Sequence, residues 1–277
     1  MARPLRLLVP YGIYHVYARG NDRAPIFRDD SDRERFLELV AEVRAEYGWR
    51  VLAYCLLGNH YHLCPQTPEP NLASGMRQLN GVYAQRFNRR HRRSGHVLEG
   101  RYGARLVQAD EHLRSVLRYI VRNPVRAGLC ASPSEWRFSS CRATLGEEPS
   151  GVVDVDEVLS YFGPTPELAR ARYREYVEQP GDDELGRHPL VHGDDAFVVH
   201  MLRELDRPPG VPRRFFREPR PELSGLLEDA SDASLMLAQA HGYSLRAIAA
   251  HLGLSASTVS RRLQRYAARH ARATNET

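Results

Sequence analysis

Trp49-Arg-Val-Leu-Ala-Tyr-Cys-Leu-Leu57, broken by Gly58-Asn59 and resumed as His60-Tyr61-His62-Leu63, decides the fold of this chain. The nine-residue run is apolar at nearly every position and rich in aromatic and branched side chains, which reads as a strand covered on both faces. Gly58-Asn59 permits a turn or bulge, after which an extended run continues through Leu63. In extended chain, residues two apart share a face, so His60 and His62 project to the same side.

Working outward, Tyr11 to Arg19 (YGIYHVYAR) alternates as a strand does, and Gly20-Asn21-Asp22 ends it. Phe36, Leu37, Val40 and Val43 form an apolar stripe on a helix from Arg33 to Tyr47, with Ser31 or Asp32 as its cap. Pro65 to Pro70 reads as a loop, and Leu72 to Arg90 as a helix apolar at Met76, Leu79, Val82, Tyr83 and Phe87. Val97 to Gln108 reads as a β-ribbon about Gly100–Gly103. Glu111 to Asn123 is an amphipathic helix that Pro124 ends. The order predicts an α+β domain, an antiparallel sheet with helices on one face. Short helices follow between Gly and Pro breaks, over Val155–Tyr161 and Glu167–Val177, and residues 181–225 read as a Pro- and charge-rich linker region.

The 277 residues carry a net charge of +5, and all 39 basic side chains are arginine. Residues 1–143 hold 23 arginines against 13 acids, residues 144–243 hold 10 against 20, and residues 244–277 hold 6 against one. Two basic blocks about an acidic spacer indicate two nucleic-acid-facing units. The expected domains are 1–143, an acidic extension and linker over 144–225, and 226–277. No apolar run approaches the length of a membrane span, and the N-terminus lacks the pattern of an export signal, so a cytoplasmic protein is expected. Cys55, Cys64, Cys130 and Cys141 make no CxxC pair, which excludes a zinc ribbon and fits reduced thiols.

Tyr243 to Tyr266 (YSLRAIAAHLGLSASTVSRRLQRY) has the signature of a helix-turn-helix. Ile248, Ala249 and Leu252 face inward, Gly253 permits the turn, and Val259 and Leu263 pack the second helix back. That helix then offers Ser257, Thr258, Arg261, Arg262 and Arg265 to a duplex major groove.

On the helix before Pro124, Tyr119 and Asn123 share a face, with Arg114, Arg118 and Arg122 in a row beside them. A free tyrosine hydroxyl is a weak nucleophile at neutral pH, but near a cation and a phosphate it can attack phosphorus. An amide oxygen from Asn123 could complete an ion's ligands beside two histidines. Read alone, Tyr119 is better taken as a boundary aromatic and Asn123 as the residue that ends its helix. Tyr83, near Arg86 and Asn88, is a competing nucleophile without a metal-ligand partner one turn away.

Arg19-Gly-Asn21, Ala53–Leu63 (AYCLLGNHYHL), Gly95–Arg101 (GHVLEGR) and Arg118–Gly128 (RYIVRNPVRAG) resemble, together and in order, the REP-associated tyrosine transposases, relatives of IS200-type single-strand transposases in the HUH endonuclease superfamily. The resemblance covers residues 10–143, and it implies a ferredoxin-like domain that binds single-stranded hairpin DNA. It implies that His60 and His62 hold Mg²⁺ or Mn²⁺, with Asn123 in the place of the polar metal ligand. Tyr119 would be the nucleophile, forming a 5′-phosphotyrosine bond and freeing a 3′-OH. Arg19, Arg101, Arg105, Arg118, Arg122 and Arg126 would hold phosphates, with Asn21 beside them. The motif's hydrophobic position is Tyr61 here. Partners are then hairpin DNA, duplex DNA through the C-terminal helices, and no membrane, with the chain a monomer or a homodimer that trades its tyrosine helix. Two alternatives stand beside this: a domesticated DNA-binding regulator with a residual core, and a metallohydrolase, which needs a carboxylate near His60.

Overall fold

A computed structural model describes residues 7–109, 111–149, 151–179, 185, 188–203, 221–241 and 243–273, with side chains to residue 266. The chain divides into two compact units, Met1–Arg217 and Glu218–Thr277.

The first unit is built on strands β1 (Gly12–Arg19), β2 (Arg50–Leu56), β3 (His60–Thr67), β4 (Gly103–Val107) and β5 (Val191–His192) in the sheet order β2-β3-β1-β4-β5. β1, β2, β3 and β4 pair antiparallel; with α1 (Asp30–Tyr47) and α2 (Leu72–Arg90) between them, this is the split ferredoxin-like arrangement. β5 adds to β4 in parallel. α1 and α2 cover one face: the Tyr61 ring lies against Phe36 of α1, 4.7 Å between centroids, and its hydroxyl donates to Asn80 Oδ1 of α2 at 2.7 Å. The aromatic Tyr61 is therefore core. α3 (Glu111–Val121) takes the opposite face, where Tyr119 meets His62.

Several local expectations are corrected. Asp29, not Ser31 or Asp32, caps α1 by accepting from Asp32 N, while the Asp32 carboxylate reaches back to Arg28 N. β3 runs on through Pro65–Thr67, expected as loop, because Pro65 pairs with Val51 where the β2 register shifts, a place that tolerates a missing N–H. The ribbon expected over Val97–Gln108 shrinks to β4. A single bridge, Gly20 to Leu98, forms before the chain turns back at Gly100, whose N–H donates to Leu98 O. Helix α3 ends at Val121, and α4 (Asn123–Arg126) follows with Pro124 in its first turn.

The described elements between residues 144 and 203 join the same core instead of standing apart. After α5 (Cys141–Leu145) come α6 (Val155–Ser160), α7 (Pro166–Glu178) and α8 (Asp195–Arg203). Val153, Leu159, Phe162, Tyr173 and Val177 are buried in one cluster with the sheet. The free edge of β2 supplies a reason, since its unpaired backbone groups need partners. Asp154 accepts from Val51 N and donates to Val51 O, both at 2.8 Å, and binds Arg44 at 2.7 Å. Leu56 N donates to Phe138 O, and Ser140 N to Tyr54 O.

The second unit contains α9 (Leu223–Leu226), α10 (Asp232–Ala240), α11 (Leu245–His251) and α12 (Ala256–Ala273) about its own core of Leu227, Leu235, Ile248, Val259 and Leu263. Ser244 caps α11, and Gly253, at φ +65°, makes the turn into α12.

Candidate functional site

The strand period sets the site. On β1, Tyr14, Val16 and Ala18 enter the core, and His15, Tyr17 and Arg19 take the other face. On β3 the same alternation turns Tyr61 and Leu63 inward and His60 and His62 toward those three. In the ladder Tyr17 lies opposite His62, and Arg19 opposite His60. β4 brings Arg105 opposite His15 and Gly103 opposite Tyr17; a side chain at Gly103 would collide with the Tyr17 ring. The result is a cleft of about 780 Å³ lined by these residues and by Asn59, Glu99, Arg101, Tyr119 and Asn123.

Each histidine of the pair is held by one nitrogen. His60 Nδ1 lies 2.7 Å from Asn59 Oδ1, and the Asn59 amide is oriented by its own donation to Arg23 O at 3.1 Å. His60 therefore donates from Nδ1 and keeps a lone pair on Nε2. His62 Nδ1 lies 2.9 Å from His15 Nε2, and His15 Nδ1 lies 3.4 Å from His192 Nε2. Burial holds the His15 and His62 rings well below the ordinary imidazole range; His192 and Arg105 add to this for His15, and His15, His60 and Arg126 for His62. His60 is lowered by burial and by Arg19. Burial, Arg105 and His112 bring His192 down to about 3. These rings are neutral at physiological pH, as metal ligands must be.

From α3, the Tyr119 ring stands 5.6 Å from that of His62 and 5.5 Å from that of His15. The Arg126 guanidinium lies over its face at 4.6 Å. Asn123 donates from Nδ2 to Tyr119 O at 2.8 Å, leaving its Oδ1 for the cleft. A strand, a helix and a short helical turn thus bring a phenol, two imidazoles, an amide oxygen and several guanidinium groups to one depression.

Residues 9–123 match the family model for IS200-like transposases. That stretch is similar to an IS200-like transposase domain. Residues 235–266 match that of a helix-turn-helix domain. A Haemophilus influenzae protein named as a REP-associated tyrosine transposase is 26% identical over 140 residues, which span 47% of this chain and 79% of that protein. A solved REP-associated tyrosine transposase bound to a REP hairpin is similar over 56% of this chain and 90% of its own, at 18% identity and a TM-score of 0.46. A Deinococcus radiodurans crystal structure named as a transposase covers 44% and 96%, at 18% identity and a TM-score of 0.31.

Within the transposase domain, Arg19, Arg101 and Arg105 line the cleft, but three residues expected beside them face elsewhere. Arg122 donates to Val177 O and Glu178 O at 2.8 and 2.9 Å, completing the carbonyl end of α7. Arg118 stacks on Tyr176 of the same helix at 4.5 Å. Asn21 is exposed and turned to Asp22. Arg19 itself is bound by Glu99 at 2.9 Å across the cleft mouth, where both remain about half exposed.

His15, Asn59, Glu99 and His192 are the site residues that sequence reasoning missed. His15 shares the β1 alternation with Arg19, which was the available signal; no sequence pattern pointed to His192.

In the helix-turn-helix unit, Ser257, Arg261 and Arg265 are exposed on α12, and Thr258 is half-buried. Ser255 Oγ lies 2.9 Å from the Ser257 hydroxyl and 2.8 Å from that of Thr258, and accepts from Thr258 N. Arg262, expected among the groove readers, is instead structural: it binds Asp232 at 2.6 Å and Ala230 O at 2.7 Å, fastening α12 to the start of α10. Among the described residues no group of three or more His, Cys, Asp or Glu is arranged to hold a metal, and no helix is long and apolar enough to cross a membrane.

Proposed function

We propose that this protein nicks single-stranded DNA at hairpin-flanked sites and transfers the strand through a covalent bond to Tyr119. The observation that supports this reading is the packing of the Tyr119 ring against His62 inside an arginine-lined cleft. Tyr119 Oη attacks the scissile phosphorus, and the bond from phosphorus to the 3′ oxygen breaks. The phenol loses its proton and the departing oxygen gains one, leaving a 3′-OH on one fragment and a 5′-phosphotyrosine on the other. Attack by a second 3′-OH reverses these bonds without a nucleotide cofactor, since the ester retains the energy of the cleaved bond.

His60 and His62 would hold Mg²⁺ or Mn²⁺ through Nε2, the nitrogens left by their hydrogen bonds, with Asn123 Oδ1 as a third ligand. An ion held there would supply Lewis-acid polarisation of the phosphate and offset charge on the leaving oxygen. Two imidazoles and an amide fit that role, and suit Mn²⁺ better than the oxygen-seeking Mg²⁺. Arg126 lies over the nucleophile's ring and faces the charge that develops there. Arg101 and Arg105 would bind flanking phosphates, and Ser257, Thr258, Arg261 and Arg265 a neighbouring duplex.

The test uses the full chain, Mn²⁺ and 3′-labelled single-stranded oligonucleotides that fold into hairpins, drawn from the DNA flanking this reading frame. The expected result is a labelled adduct stable on a denaturing gel and absent in Tyr119→Phe. An adduct that persists in Tyr119→Phe overturns the assignment of the nucleophile.

A further inference from the structure

Three buried imidazoles form one chain: His62 Nδ1 to His15 Nε2 at 2.9 Å, and His15 Nδ1 to His192 Nε2 at 3.4 Å. His62 and His15 come from the transposase sheet, and His192 from β5, the strand that the extension adds beside β4. All three are nearly inaccessible to solvent, with 7%, 4% and 1% of their surface exposed. In a neutral imidazole one nitrogen carries the hydrogen and the other accepts, so neighbours in such a chain constrain one another.

The chain has two consistent registers. In one, every ring carries its hydrogen on Nδ1: His62 donates to His15, His15 donates to His192, and His62 Nε2 is left with a lone pair. In the other every hydrogen sits on Nε2, donation runs the opposite way, and His62 Nε2 is blocked. Only the first register allows His62 to bind a metal ion. At the far end, His192 Nδ1 is buried and finds no partner among the described residues. Neither register is thus fixed by an anchoring hydrogen bond at that end.

We propose that His15 and His192 are positioning residues that set the tautomer and ring orientation of His62, so that a residue of the extension, 177 positions from His15, governs metal binding in the transposase cleft. The proposal rests on the reading of His60 and His62 as metal ligands. Histidine ligands depend on whatever holds their second nitrogen, and loss of that partner characteristically costs 10–100-fold in metal affinity. His60 takes the equivalent support from Asn59, a fixed acceptor. His62 takes it from a ring whose own hydrogen is set one step further out.

The experiment measures Mn²⁺ binding by electron paramagnetic resonance in the full chain and in two variants at position 192. His192→Leu removes the acceptor for His15 Nδ1 and is expected to weaken Mn²⁺ about 10–100-fold. His192→Gln can return an oxygen to the place of Nε2 and is expected to recover most of that affinity. Thermal melting identifies any variant that fails to fold. Equal affinities in all three proteins, or equal losses in Leu and Gln, overturn the relay and leave His192 a packing residue.

Imidazole ¹⁵N spectra supply a second readout. In the wild-type chain saturated with Mg²⁺, His62, His15 and His192 are all expected to carry hydrogen on Nδ1. His192 protonated on Nε2 in that state overturns the relay. In the metal-free protein the three rings are expected to share a single register, and a mixed set overturns the relay on its own. Rings that do share a register in a wild-type protein that binds neither ion would instead overturn the metal assignment while leaving the coupling among the rings intact.

Discussion

The rings of Tyr119 and His62 meet edge to face, 5.6 Å between centroids and 87° between planes, within a single chain. The helix and the strand that carry them are separated by α2 and β4, yet the sheet gathers both at one cleft. The cleft is thus lined by a tyrosine of the same chain.

Tyr83 offers the sharpest comparison for the nucleophile. Its ring is enclosed by Phe36 and Phe27, its hydroxyl donates to Ile26 O, and burial raises its pKa. Tyr83→Phe is expected to destabilise the fold by about 1 kcal/mol and leave adduct formation intact. Tyr119→Phe is expected to do the reverse, with melting nearly unchanged. Denaturing gels and thermal melts of the two variants separate these outcomes.

Glu99 occupies the Arg19 guanidinium that, under the proposed function, would meet DNA. Exposed ion pairs contribute about 0.2–1 kcal/mol, so releasing Arg19 is a modest gain. Glu99→Gln also removes a negative charge from the cleft. Single-strand affinity, read by fluorescence anisotropy, is expected to rise about 2–5-fold by that magnitude. Weaker binding would mean that Glu99 serves to aim Arg19 at the phosphate.

Acid should unfold the first unit early. A buried neutral imidazole leaves stability unaffected above its unfolded pKa of about 6.5. Below that the unfolded chain takes up protons that the native ring refuses, and stability falls with falling pH. For His192 the loss begins near 6.5 and continues to about 3, with a slope near 1.4 kcal/mol per pH unit. His15 and His62 add in the same direction. Urea titrations between pH 8 and pH 4 should show this slope shrink in His192→Leu. An unchanged slope would show that His192 charges in the native state.

The arginines of α12 divide into two kinds. Arg262→Gln is expected to lower the melting point of the C-terminal unit by breaking its bonds to Asp232 and Ala230. Arg261→Gln and Arg265→Gln should leave melting unchanged and weaken duplex binding, with a smaller dependence on salt. Melts and salt-dependent gel shifts of the three variants test this. Duplex binding lost in Arg262→Gln at full stability would return that residue to the groove.

Much of this was legible in the sequence because it depends on local period. The spacing of Met76, Leu79, Tyr83 and Phe87 gave α2 with its observed bounds, and the alternation about Tyr61 put His60 and His62 on one face. The same alternation held His15, but a strand pattern does not say which face borders a cleft. Helical spacing set Arg118 and Arg122 in a row without revealing that α7 lies over them. β5 has two residues, too few for any period, and its place depends on pairing with a strand distant in the chain.

The grip of α7 on Arg118 and Arg122 has a bearing on how strand exchange is organised. Arg118 of the helix that bears Tyr119 stacks on α7, and Arg122, just past the end of that helix, donates two bonds to main-chain oxygens of α7. Under the proposed function, a nucleophile anchored in this way would hold its place between cleavage and rejoining. The polynucleotide would then travel, one end departing and another arriving at a stationary tyrosine.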